Sequence, residues 1–588
     1  MISRSSRRAV VLAFLVAAVV VASFWPALDG QFLNWDDDEN FLRNESYRGL
    51  GPAQLRWMLT TSLMGHYIPL TWVTFGLNYA LGGLEPRGYL AVNVLLHALA
   101  AVLWFLVARR LLAAAAPGRG PERAVDLGAA FAALVFAVHP LRVESVAWIT
   151  ERRDVLSGVW YLLAAWAWLR AVAGDGRTPR GYYALSVGAF AAGLLSKASG
   201  VLLPVAFLLL DVYPLRRLGL GLRRLIGEKL PHLVLGAAGA VVALWAVRQS
   251  TAVTSYEVHG FVARIAMTAY SLVFYPWKFL WPVGLSPMYE LPARVDPWAP
   301  RFLVPLIACV AVTLALVALR RRCPGALAAW VYAALMILPV SGIVHAGFQL
   351  AHDRYSYLSG MGFALLAGGL FATVLRAQAE GRLAPRFGGL LSVTAVMIVL
   401  ALAADTWRQS KLWHDSETLW AWAVDVDPDC AICHNNLGSA IIHSPARTSS
   451  SPALAEAQFR KALALRPERS TFYHNLGGAL ALQGRYAEAE VPLREFMRLS
   501  PQVPEAPGRL GMLYVDQGRY GEAIPLLRQA LRMEPRLAAV RSDLARALRE
   551  EAEALRGRGQ GAEAKTLEAE AATVQGSWPG GPGATPGR

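Results

Sequence analysis

Long apolar blocks in the first 406 residues constrain this chain more than any other feature. A helix needs roughly 17 to 25 predominantly apolar residues to cross about 30 Å of hydrocarbon, and the blocks have this length. Only 17% of the residues are charged, whereas soluble proteins usually carry about 25%. Every backbone polar group in lipid needs a partner within the chain, so each block is predicted to form a helix. The sequence therefore predicts an all-α, polytopic membrane domain.

The positions of the Lys and Arg residues predict how these helices are oriented. Cytoplasmic loops are enriched in Lys and Arg, and the basic segments here are 4–8, 109–123, 177–180, 216–229, 320–322 and 376–386. With these segments in the cytoplasm, alternation predicts eleven spans, at 9–28, 88–108, 125–139, 154–172, 182–196, 198–214, 231–249, 301–319, 325–344, 356–375 and 388–405. The apolar stretches 66–84 and 261–283 contain Trp residues, which favour the headgroup zone, so we interpret both as interfacial or re-entrant. The N-terminus is then cytoplasmic and the C-terminal part lies outside.

After residue 406 the sequence changes to an internal repeat. Equivalent positions recur at intervals of 39, 34 and 34 residues, at Asn436, Asn475, Arg509 and Asp543. A period of 34 residues, with Pro ending the second helix of each unit, is typical of tetratricopeptide repeats. We therefore divide the chain into a membrane domain (1–406) with an outward first loop (29–65), a repeat domain (407–572) and a Gly/Pro-rich tail (573–588) that is predicted to be disordered. Such arrays present a concave surface for a protein or peptide, although a short array can instead only brace the membrane domain.

The outward first loop carries four consecutive acidic residues, Asp36, Asp37, Asp38 and Glu39. Adjacent carboxylates raise each other's proton affinity unless a cation or donor offsets them, so such a cluster suits a general base or a divalent-metal site. The alternative is a solvated acidic loop, because runs of charge usually lie on the surface. The position beside the membrane favours a site in which Asp36 and Asp37 are catalytic or ligate a metal ion, and Asp38 shapes the surroundings.

Later outward loops add basic, acidic and aromatic residues to the same predicted layer. They are His139, Arg142, Glu144, Arg153, Lys197, Arg354 and Tyr355. Ionisable groups between spans are costly unless they line a cavity or pair with one another. Arg and Lys together suit a phosphate ligand, so we predict that Arg142, Arg153, Lys197 and Arg354 bind phosphate, while the other three shape the site. The alternatives are ion pairing within the layer and anchoring of helix ends in water.

Several function classes are disfavoured by the sequence. The net charge of +15 does not predict a nucleic-acid partner, because the Arg residues cluster in short loops between apolar blocks. We find no Walker A loop, no His-Glu-x-x-His and no Rossmann fingerprint, so bound nucleotide is not the expected energy source. The segment from Cys430 to His434 matches the pattern of c-type haem attachment, but it aligns with 470–474 of the next repeat and we interpret it as repeat sequence. No cofactor is predicted beyond the metal ion considered above.

The order of several short motifs resembles the transmembrane and tetratricopeptide repeat-containing (TMTC) proteins and their bacterial relatives. In chain order the motifs are Asn-Trp-Asp-Asp at 34–37, Pro-Leu-Thr-Trp at 69–72, Asn-Val-Leu-Leu-His at 93–97, His-Pro-Leu-Arg-Val-Glu-Ser at 139–145 and Asp-Arg-Tyr-Ser-Tyr at 353–357. With the repeats, the match covers most of the chain. TMTC proteins are similar to protein O-mannosyltransferases, which are glycosyltransferases of the GT-C superfold and take sugar from a polyprenyl-phosphate donor on the non-cytoplasmic side. The resemblance also implies the inner membrane of a bacterium as the location.

The resemblance implies roles for individual residues. The acidic pair of the family falls on Asp36 and Asp37, one of which is implied to deprotonate an acceptor hydroxyl, and in-line attack on the anomeric carbon would then invert its configuration. Arg354 is implied to hold the phosphate, and the loop that begins at His139 is implied to shape the site. The chain departs from the family at Ser359, where relatives often have Pro, so the geometry of that loop is not carried over.

The leading hypothesis is an inverting GT-C glycosyltransferase. It would move a sugar, with mannose as the candidate, from a polyprenyl-phosphate carrier to an extracytoplasmic protein or glycan acceptor that the repeats hold. The expected partners are thus membrane lipid, the lipid-linked sugar and an acceptor protein or peptide. A non-catalytic scaffold for a cell-envelope complex is the alternative from another class. A transporter is a third, because charges at membrane depth also mark transport pathways, although we see no inverted repeat of broken helices.

Overall fold

A computed structural model of the chain describes residues 4–116, 122–173, 179–249, 259–343 and 347–576. The chain forms two compact units, Met1–Val426 and Asp427–Arg588. Helices make up most of both units, which confirms the predicted all-α fold. Most of the predicted disordered tail, from residue 577 onward, lies outside the described residues, as do parts of the basic segments 109–123 and 177–180.

The first unit is built from helices of very different lengths. They are α1 (Arg4–Ser23), α2 (Pro52–Thr60), α3 (Pro69–Gly82), α4 (Pro86–Ala115), α5 (Glu122–Ala137), α6 (Val143–Ala147), α7 (Arg152–Ala171), α8 (Arg180–Ser196), α9 (Leu203–Val212), α10 (Leu222–Gly227), α11 (Leu230–Gln249), α12 (Phe261–Leu280), α13 (Pro300–Ala318), α14 (Pro324–Ile337), α15 (Ser356–Ala379), α16 (Pro385–Leu412) and α17 (Ser416–Val426). Two short strands, β1 (Tyr289–Glu290) and β2 (Gln349–Ala351), pair antiparallel. Several helices start with Pro, which fits the first helical turn because its missing N–H has no intrahelical acceptor there.

Many of these helices have the length and composition of membrane spans. Among the described residues, six are long and apolar enough to cross a membrane, or seven if the bent pair Glu122–Ala137 and Pro140–Ala147 is one span. In the most apolar 18-residue stretch of α13, only 6% of the residues are buried within the protein. Apolar surface of this extent needs lipid or another protein as its neighbour. These helices therefore support the prediction that the chain is a membrane protein. The other predicted spans coincide with α5, α7, α8, α9 and α14, which are shorter or less apolar, and the number of eleven spans stays a prediction.

The helices α5 and α15 pack antiparallel at very short range. A Cβ atom on Gly128 would lie 2.6 Å from the carbonyl oxygen of Gly368, and one on Gly368 would lie 2.6 Å from the Cβ of Ala132. Small residues allow such close approach between membrane helices. This register brings the loop that follows α5 next to the segment that precedes α15, and both carry predicted site residues.

Helix ends and loops meet in one layer, which we call the site end of the first unit. His97 of α4 forms hydrogen bonds to the hydroxyl of Tyr357 at the start of α15 (2.8 Å) and to the carbonyl oxygen of Ala137 at the end of α5 (2.9 Å). Gln31, after α1, donates its N–H to the carbonyl oxygen of His414, after α16 (2.8 Å). The loops that carry the predicted site residues are thus held at the same end of the unit.

The helices α3 and α12 also pack along this layer. Thr71 of α3 donates to the carbonyl oxygen of Ser196 at the end of α8 (2.9 Å). The N-terminal half of α12 packs near Leu350 of β2, and Phe279 near its C-terminus stacks on His139 with ring centroids 4.8 Å apart. Because α12 contacts the site end along its length, this packing favours the interfacial placement of 261–283, which stays a prediction.

The first unit continues beyond residue 406, where the apolar blocks end. Helix α16 runs to Leu412, and α17 packs back on the site end. Trp420 of α17 is buried, its ring centroid lies 5.0 Å from that of Trp35, and its Nε1 donates to Oδ1 of Asn34 (3.1 Å). A helix that looks like the start of the soluble domain therefore belongs to the membrane-associated unit.

The second unit consists of successive helical hairpins. Its described helices are α18 (Ala431–His443), α19 (Ser451–Leu465), α20 (Ser470–Leu482), α21 (Tyr486–Leu499), α22 (Glu505–Asp516), α23 (Tyr520–Met533), α24 (Ala538–Gly557) and α25 (Gly561–Gly576). Gly484 and Gly518 in the hairpin turns both have φ of +72°, a left-handed conformation that Gly adopts without steric cost. Gly477 leaves no room for a larger residue, because a Cβ there would lie 2.6 Å from the Leu493 side chain.

Ion pairs at equivalent positions connect neighbouring hairpins. Arg485 lies 2.6 Å from Glu456, and Arg519 lies 2.7 Å from Glu490. Each pair joins the turn of one hairpin to the preceding hairpin. The two arginines are 34 residues apart in the sequence, and so are the two glutamates. The repeat that was predicted from spacing is therefore also a repeat of contacts, as expected for an α-solenoid in which each unit packs only on its neighbours.

Candidate active site

Asp37 anchors the first loop to the loop between α5 and α7. Its buried carboxylate accepts hydrogen bonds from the Leu33 N–H (2.9 Å), the Trp148 indole N–H (3.0 Å), and the hydroxyl (2.5 Å) and N–H (3.3 Å) of Thr150. Burial raises the pKa of Asp37 to about 7, although the bonds from Leu33 and Thr150 lower it. Both carboxylate oxygens are occupied, so Asp37 serves to hold two loops together.

Asp36 has the opposite environment. Its side chain is 22% exposed, and its nearest cationic atom is Nη2 of Arg153 at 4.0 Å. Within the described part of the chain, no residue donates a hydrogen bond to this carboxylate. Burial raises the pKa of Asp36 above 3.8, while the charges of Arg153 and Arg354 lower it. Of the two predicted catalytic acids, Asp36 is therefore the one with a carboxylate that is available to a ligand.

Glu151 holds three cations from three different segments of the chain. Its buried carboxylate lies 2.5 Å from Arg153, 3.0 Å from Lys197 and 3.2 Å from Arg354. Burial alone would raise the pKa of Glu151, but these three charges outweigh it and hold the pKa well below its ordinary value. We call Arg153, Lys197 and Arg354 the cation triad. The structure thus brings together three of the four predicted phosphate-binding residues.

Arg354 is fixed within the triad by an acid and by aromatic rings. Glu144 accepts a hydrogen bond from the Arg354 N–H (2.9 Å) and a second one from its guanidinium. The guanidinium carbon lies 5.3 Å from the ring centroid of Trp148 and 5.2 Å from that of Tyr355, within the range of cation–π attraction. Trp148 in turn stacks on Trp35 with centroids 4.3 Å apart. Glu144 and Tyr355, both predicted to shape the site, therefore position Arg354.

Lys197 connects the triad to a groove on the side of the first unit. Its Nζ lies 2.6 Å from Asp154 as well as 3.0 Å from Glu151. The groove has a volume of about 270 Å³ and runs between α8, α11 and residues 65–68. Lys197, His66 and Tyr67 provide its charged and polar lining, and apolar residues of α8 and α11 form its walls. We call this cavity the lateral groove.

Arg142 lies apart from the triad. It is 1% exposed, donates to the Ser356 hydroxyl, and its guanidinium carbon is 5.3 Å from the ring centroid of Phe136 and 5.6 Å from that of Tyr357. Its Nε and Nη1 atoms are buried without a hydrogen-bond partner among the described residues. The structure places this predicted phosphate ligand beneath the start of α15, where it braces that helix.

His139 and Asp38 occupy the periphery of the site. His139 accepts a hydrogen bond from the Leu141 N–H (3.2 Å) through Nδ1, and its Nε2 bonds to the carbonyl oxygen of Phe279 (3.0 Å). These contacts join the loop after α5 to α12. Asp38 is half-buried and begins a π-helical turn, Asp38–Leu42, which redirects the chain after the two central acids.

The donor set at Asp36 and Asp37 does not fit the divalent metal that was considered for them. Both oxygens of Asp37 already accept hydrogen bonds from N–H and O–H donors. The positive charge next to Asp36 belongs to Arg153. Across the described segments, no three His, Cys, Asp or Glu side chains cluster in a way that could hold a metal ion. The structure therefore gives Asp36 an arginine as its counter-ion.

Three features of the site were not assigned a role from the sequence. They are the position of Glu151 at the centre of the triad, the presence of His66 in the lateral groove, and the stack of Trp35 on Trp148. The only sequence signal for Glu151 is its place next to two arginines in an outward loop. The partners of Glu151 come from segments 46 and 203 residues away as well as from its own loop, and such contacts cannot be read from local patterns.

In the second unit, Cys430 and Cys433 form a disulfide at the start of α18. His434 is also engaged, because its Nδ1 bonds to Oε1 of Gln458 (2.7 Å) and its Nε2 to the carbonyl oxygen of Pro428 (2.9 Å). Both cysteines and the histidine of the haem-like motif therefore have partners within this unit.

The chain is similar to known proteins in its repeats and over most of its length. Family models described as Tetratricopeptide repeat match residues 446–504 and 514–567, which confirms the predicted repeats. The chain is 26% identical to the protein O-mannosyl-transferase Tmtc3 of Drosophila melanogaster, over 72% of this chain and 51% of the relative. It is 25% identical to the human protein O-mannosyl-transferase TMTC4 over 72% and 63% of the two chains, and 26% identical to human TMTC1 over 79% and 56%. The predicted resemblance to TMTC proteins is confirmed, and the chain spans about half to two-thirds of the length of these relatives.

Proposed function

We propose, on the premise of this similarity to the TMTC O-mannosyl-transferases, that the chain is a membrane glycosyltransferase. It moves a sugar, with mannose as the candidate, from a polyprenyl-phosphate carrier to an extracytoplasmic protein or glycan acceptor. One observation carries the proposal. The partly exposed carboxylate of Asp36 lies 4.0 Å from Arg153 of the cation triad, and Lys197 of the same triad lines the lateral groove.

The cation triad is the proposed binding site for the phosphate of the donor. Arg guanidinium groups bind phosphate oxygens in pairs, and Lys adds a point charge. The lateral groove has the apolar walls that the polyprenyl chain of the donor requires. Because α8 and α11 are predicted spans, the groove opens toward lipid in the proposed membrane. A lipid donor can thus enter sideways and present its phosphate to Lys197.

Asp36 is the proposed general base. It takes the proton of the acceptor hydroxyl while the hydroxyl oxygen forms a bond to the anomeric carbon of the sugar. On the opposite face of that carbon the bond to the phosphate oxygen breaks, so the configuration is inverted. The charge that develops on the leaving phosphate is stabilised by the cation triad, which Glu151 and Glu144 hold in place before the donor arrives. Asp37 positions Asp36 by fixing the loop.

The acceptor is proposed to reach the site with the help of the repeats. Asn475 of α20 donates to Oδ1 of Asn435 in α18 (2.8 Å), so amide side chains of successive hairpins lie next to each other and can bond to an extended peptide. The repeats and the acidic loop are proposed to lie outside the cytoplasm of a bacterial inner membrane, with the N-terminus inside. The disulfide of Cys430 and Cys433 supports this, because disulfides persist in oxidising compartments.

The proposed base predicts a specific pH profile. A general base works only when deprotonated, and the pKa of Asp36 is raised by burial, so transfer is expected to increase with pH through a value above 3.8. Arg153 lowers the pKa of Asp36. In the Arg153→Gln variant the acidic limb should therefore move to higher pH. The measurement is the rate of sugar transfer from a polyprenyl-phosphate sugar between pH 4 and 8.

The Arg43→Gln variant is the matched control, since Arg43 is exposed and pairs with Glu39 in the same loop. Its acidic limb should coincide with that of the unmodified protein. An acidic limb that stays in place in the Arg153→Gln variant would contradict the assignment of Asp36 as the base.

A further inference from the structure

A second and larger cavity lies inside the first unit. It has a volume of about 780 Å³ and is lined by residues of α4, α7, α9, α14 and α15. Apolar side chains line most of it, including Trp104, Leu162, Phe207 and Met336. Ligand sites in proteins usually have volumes of about 300–1,000 Å³ and mostly apolar walls. None of the residues that line the lateral groove lines this cavity.

This cavity extends to the end of the helices opposite the site end. Leu358 at the start of α15 lines it, and so does Arg376, eighteen residues later. At 1.5 Å per residue this separation is about 27 Å along the helix. We call the end of the cavity at Arg376 the far mouth. It is separated from the cation triad by nearly the thickness of a hydrocarbon layer.

Four arginines line the far mouth, namely Arg216, Arg321, Arg322 and Arg376. None of them pairs with an acidic side chain in the segments that the structure describes, and the buried Nε of Arg376 has no hydrogen-bond partner there. The adjacent Arg217, which does not line the cavity, is paired with Asp211 and Glu228. The orientation of the spans explains why arginines occur in these loops, but it does not explain why four unpaired ones converge on one apolar cavity.

We propose that this cavity binds an anionic lipid, with the phosphate headgroup between the four arginines and the hydrocarbon chain along the apolar walls. Basic pockets between membrane helices on the cytoplasmic side are suited to lipid headgroups with phosphate, and guanidinium groups match phosphate geometry. The same chemistry is offered by a glycerophospholipid and by a polyprenyl monophosphate. The inference does not rest on the proposed transfer reaction, because it uses none of the residues of the cation triad.

The test uses the full chain, purified in a neutral detergent, and native mass spectrometry to measure lipid binding. The probes are phosphatidylglycerol, a polyprenyl monophosphate and zwitterionic phosphatidylcholine. We call whichever of phosphatidylglycerol and the polyprenyl monophosphate binds more tightly the anionic probe. The triple variant Arg321→Gln, Arg322→Gln and Arg376→Gln is expected to bind it about 100-fold more weakly. Each basic residue contributes about one kcal/mol to anionic-lipid binding, and 1.4 kcal/mol is about tenfold.

The matched control is the triple variant Arg320→Gln, Arg382→Gln and Arg386→Gln. It removes the same charge from the same two basic segments, 320–322 and 376–386, but none of its residues lines the cavity. It should bind the anionic probe as the unmodified protein does. Equal weakening in the two triple variants would overturn the proposal, because it would show only a general effect of net charge.

A second variant tests the cavity without changing any charge. Gly369 lines the cavity, and a Cβ atom there would meet only Leu112, at 3.4 Å, so the larger side chain in Gly369→Leu would project into the cavity. This variant is expected to lower binding of the anionic probe at least tenfold. Preference for phosphatidylglycerol or for the polyprenyl monophosphate identifies the source of the lipid, and either supports the site. Unchanged binding in Gly369→Leu, or equal binding of phosphatidylcholine, would overturn it.

Discussion

The Asp36→Asn variant is expected to lose sugar transfer by about 10²- to 10⁴-fold, the usual contribution of a general base, while its fold stays intact. Asn has nearly the same shape as Asp but cannot take the proton of the acceptor hydroxyl. Because no described residue donates a hydrogen bond to Asp36 and its nearest cation is 4.0 Å away, the substitution breaks no close contact. The measurement is transfer from a polyprenyl-phosphate sugar in a membrane preparation with matched protein levels.

The Glu45→Gln variant is the control for this experiment. It removes one charge from the same loop, where Glu45 is exposed and pairs with Arg48, and should retain most of the activity. Full transfer by the Asp36→Asn variant would end the proposal that the first loop is catalytic. A non-catalytic scaffold predicts that neither substitution changes the assembly that the protein supports, so the pair also separates that alternative from an enzyme.

The Glu151→Gln variant is expected to lose about 3–5 kcal/mol of unfolding free energy, the usual effect of removing one partner from a buried ion pair. Gln fills the same volume but carries no charge, so Arg153, Lys197 and Arg354 would repel each other in a buried place. The carboxylate of Glu151 is fully buried and lies within 3.2 Å of all three cations. The measurement is the midpoint of unfolding when a denaturing detergent is titrated into the purified protein.

The Glu39→Gln variant removes an acid from an ion pair on the exposed surface. Glu39 pairs with Arg43, and both side chains are at least half exposed, so the loss should stay below about 1 kcal/mol. If the Glu151→Gln variant were as stable as the Glu39→Gln variant, Glu151 would not be the centre of the cation triad.

Periodic patterns in the sequence were sufficient to predict most of the fold. Apolar blocks in the first 406 residues predicted helices, and each predicted span coincides with a helix. The 34-residue period predicted the hairpins of the second unit. These features are local or regular, so they can be read without knowing which segments touch. The end of the first unit could not be read in this way, because α17 has ordinary soluble composition and is identified only by the packing of Trp420 against Trp35.

The site could be predicted only in part, since its chemistry depends on contacts between distant loops. The sequence placed Asp36 and Asp37 together but could not distinguish them. The structure does so through Thr150 and Trp148, which lie more than 100 residues away and occupy the carboxylate of Asp37. Likewise, Arg142 looked equivalent to the cations of the triad. Its burial under the start of α15 follows from the register of α5 and α15, and the sequence does not reveal that register.

The most direct test of the proposed function is to measure on which side of the membrane the first loop, a basic loop and the repeats lie. Single cysteines replace Glu45, Arg382 and Ser450 in turn, in a chain without its native cysteines, and intact cells are treated with a membrane-impermeant thiol reagent. All three positions are exposed. We expect cysteines at 45 and 450 to react in intact cells, whereas the one at 382 should react only after the membrane is opened. Protection of position 45 or position 450 would contradict the proposed outward location of the first loop and the repeats.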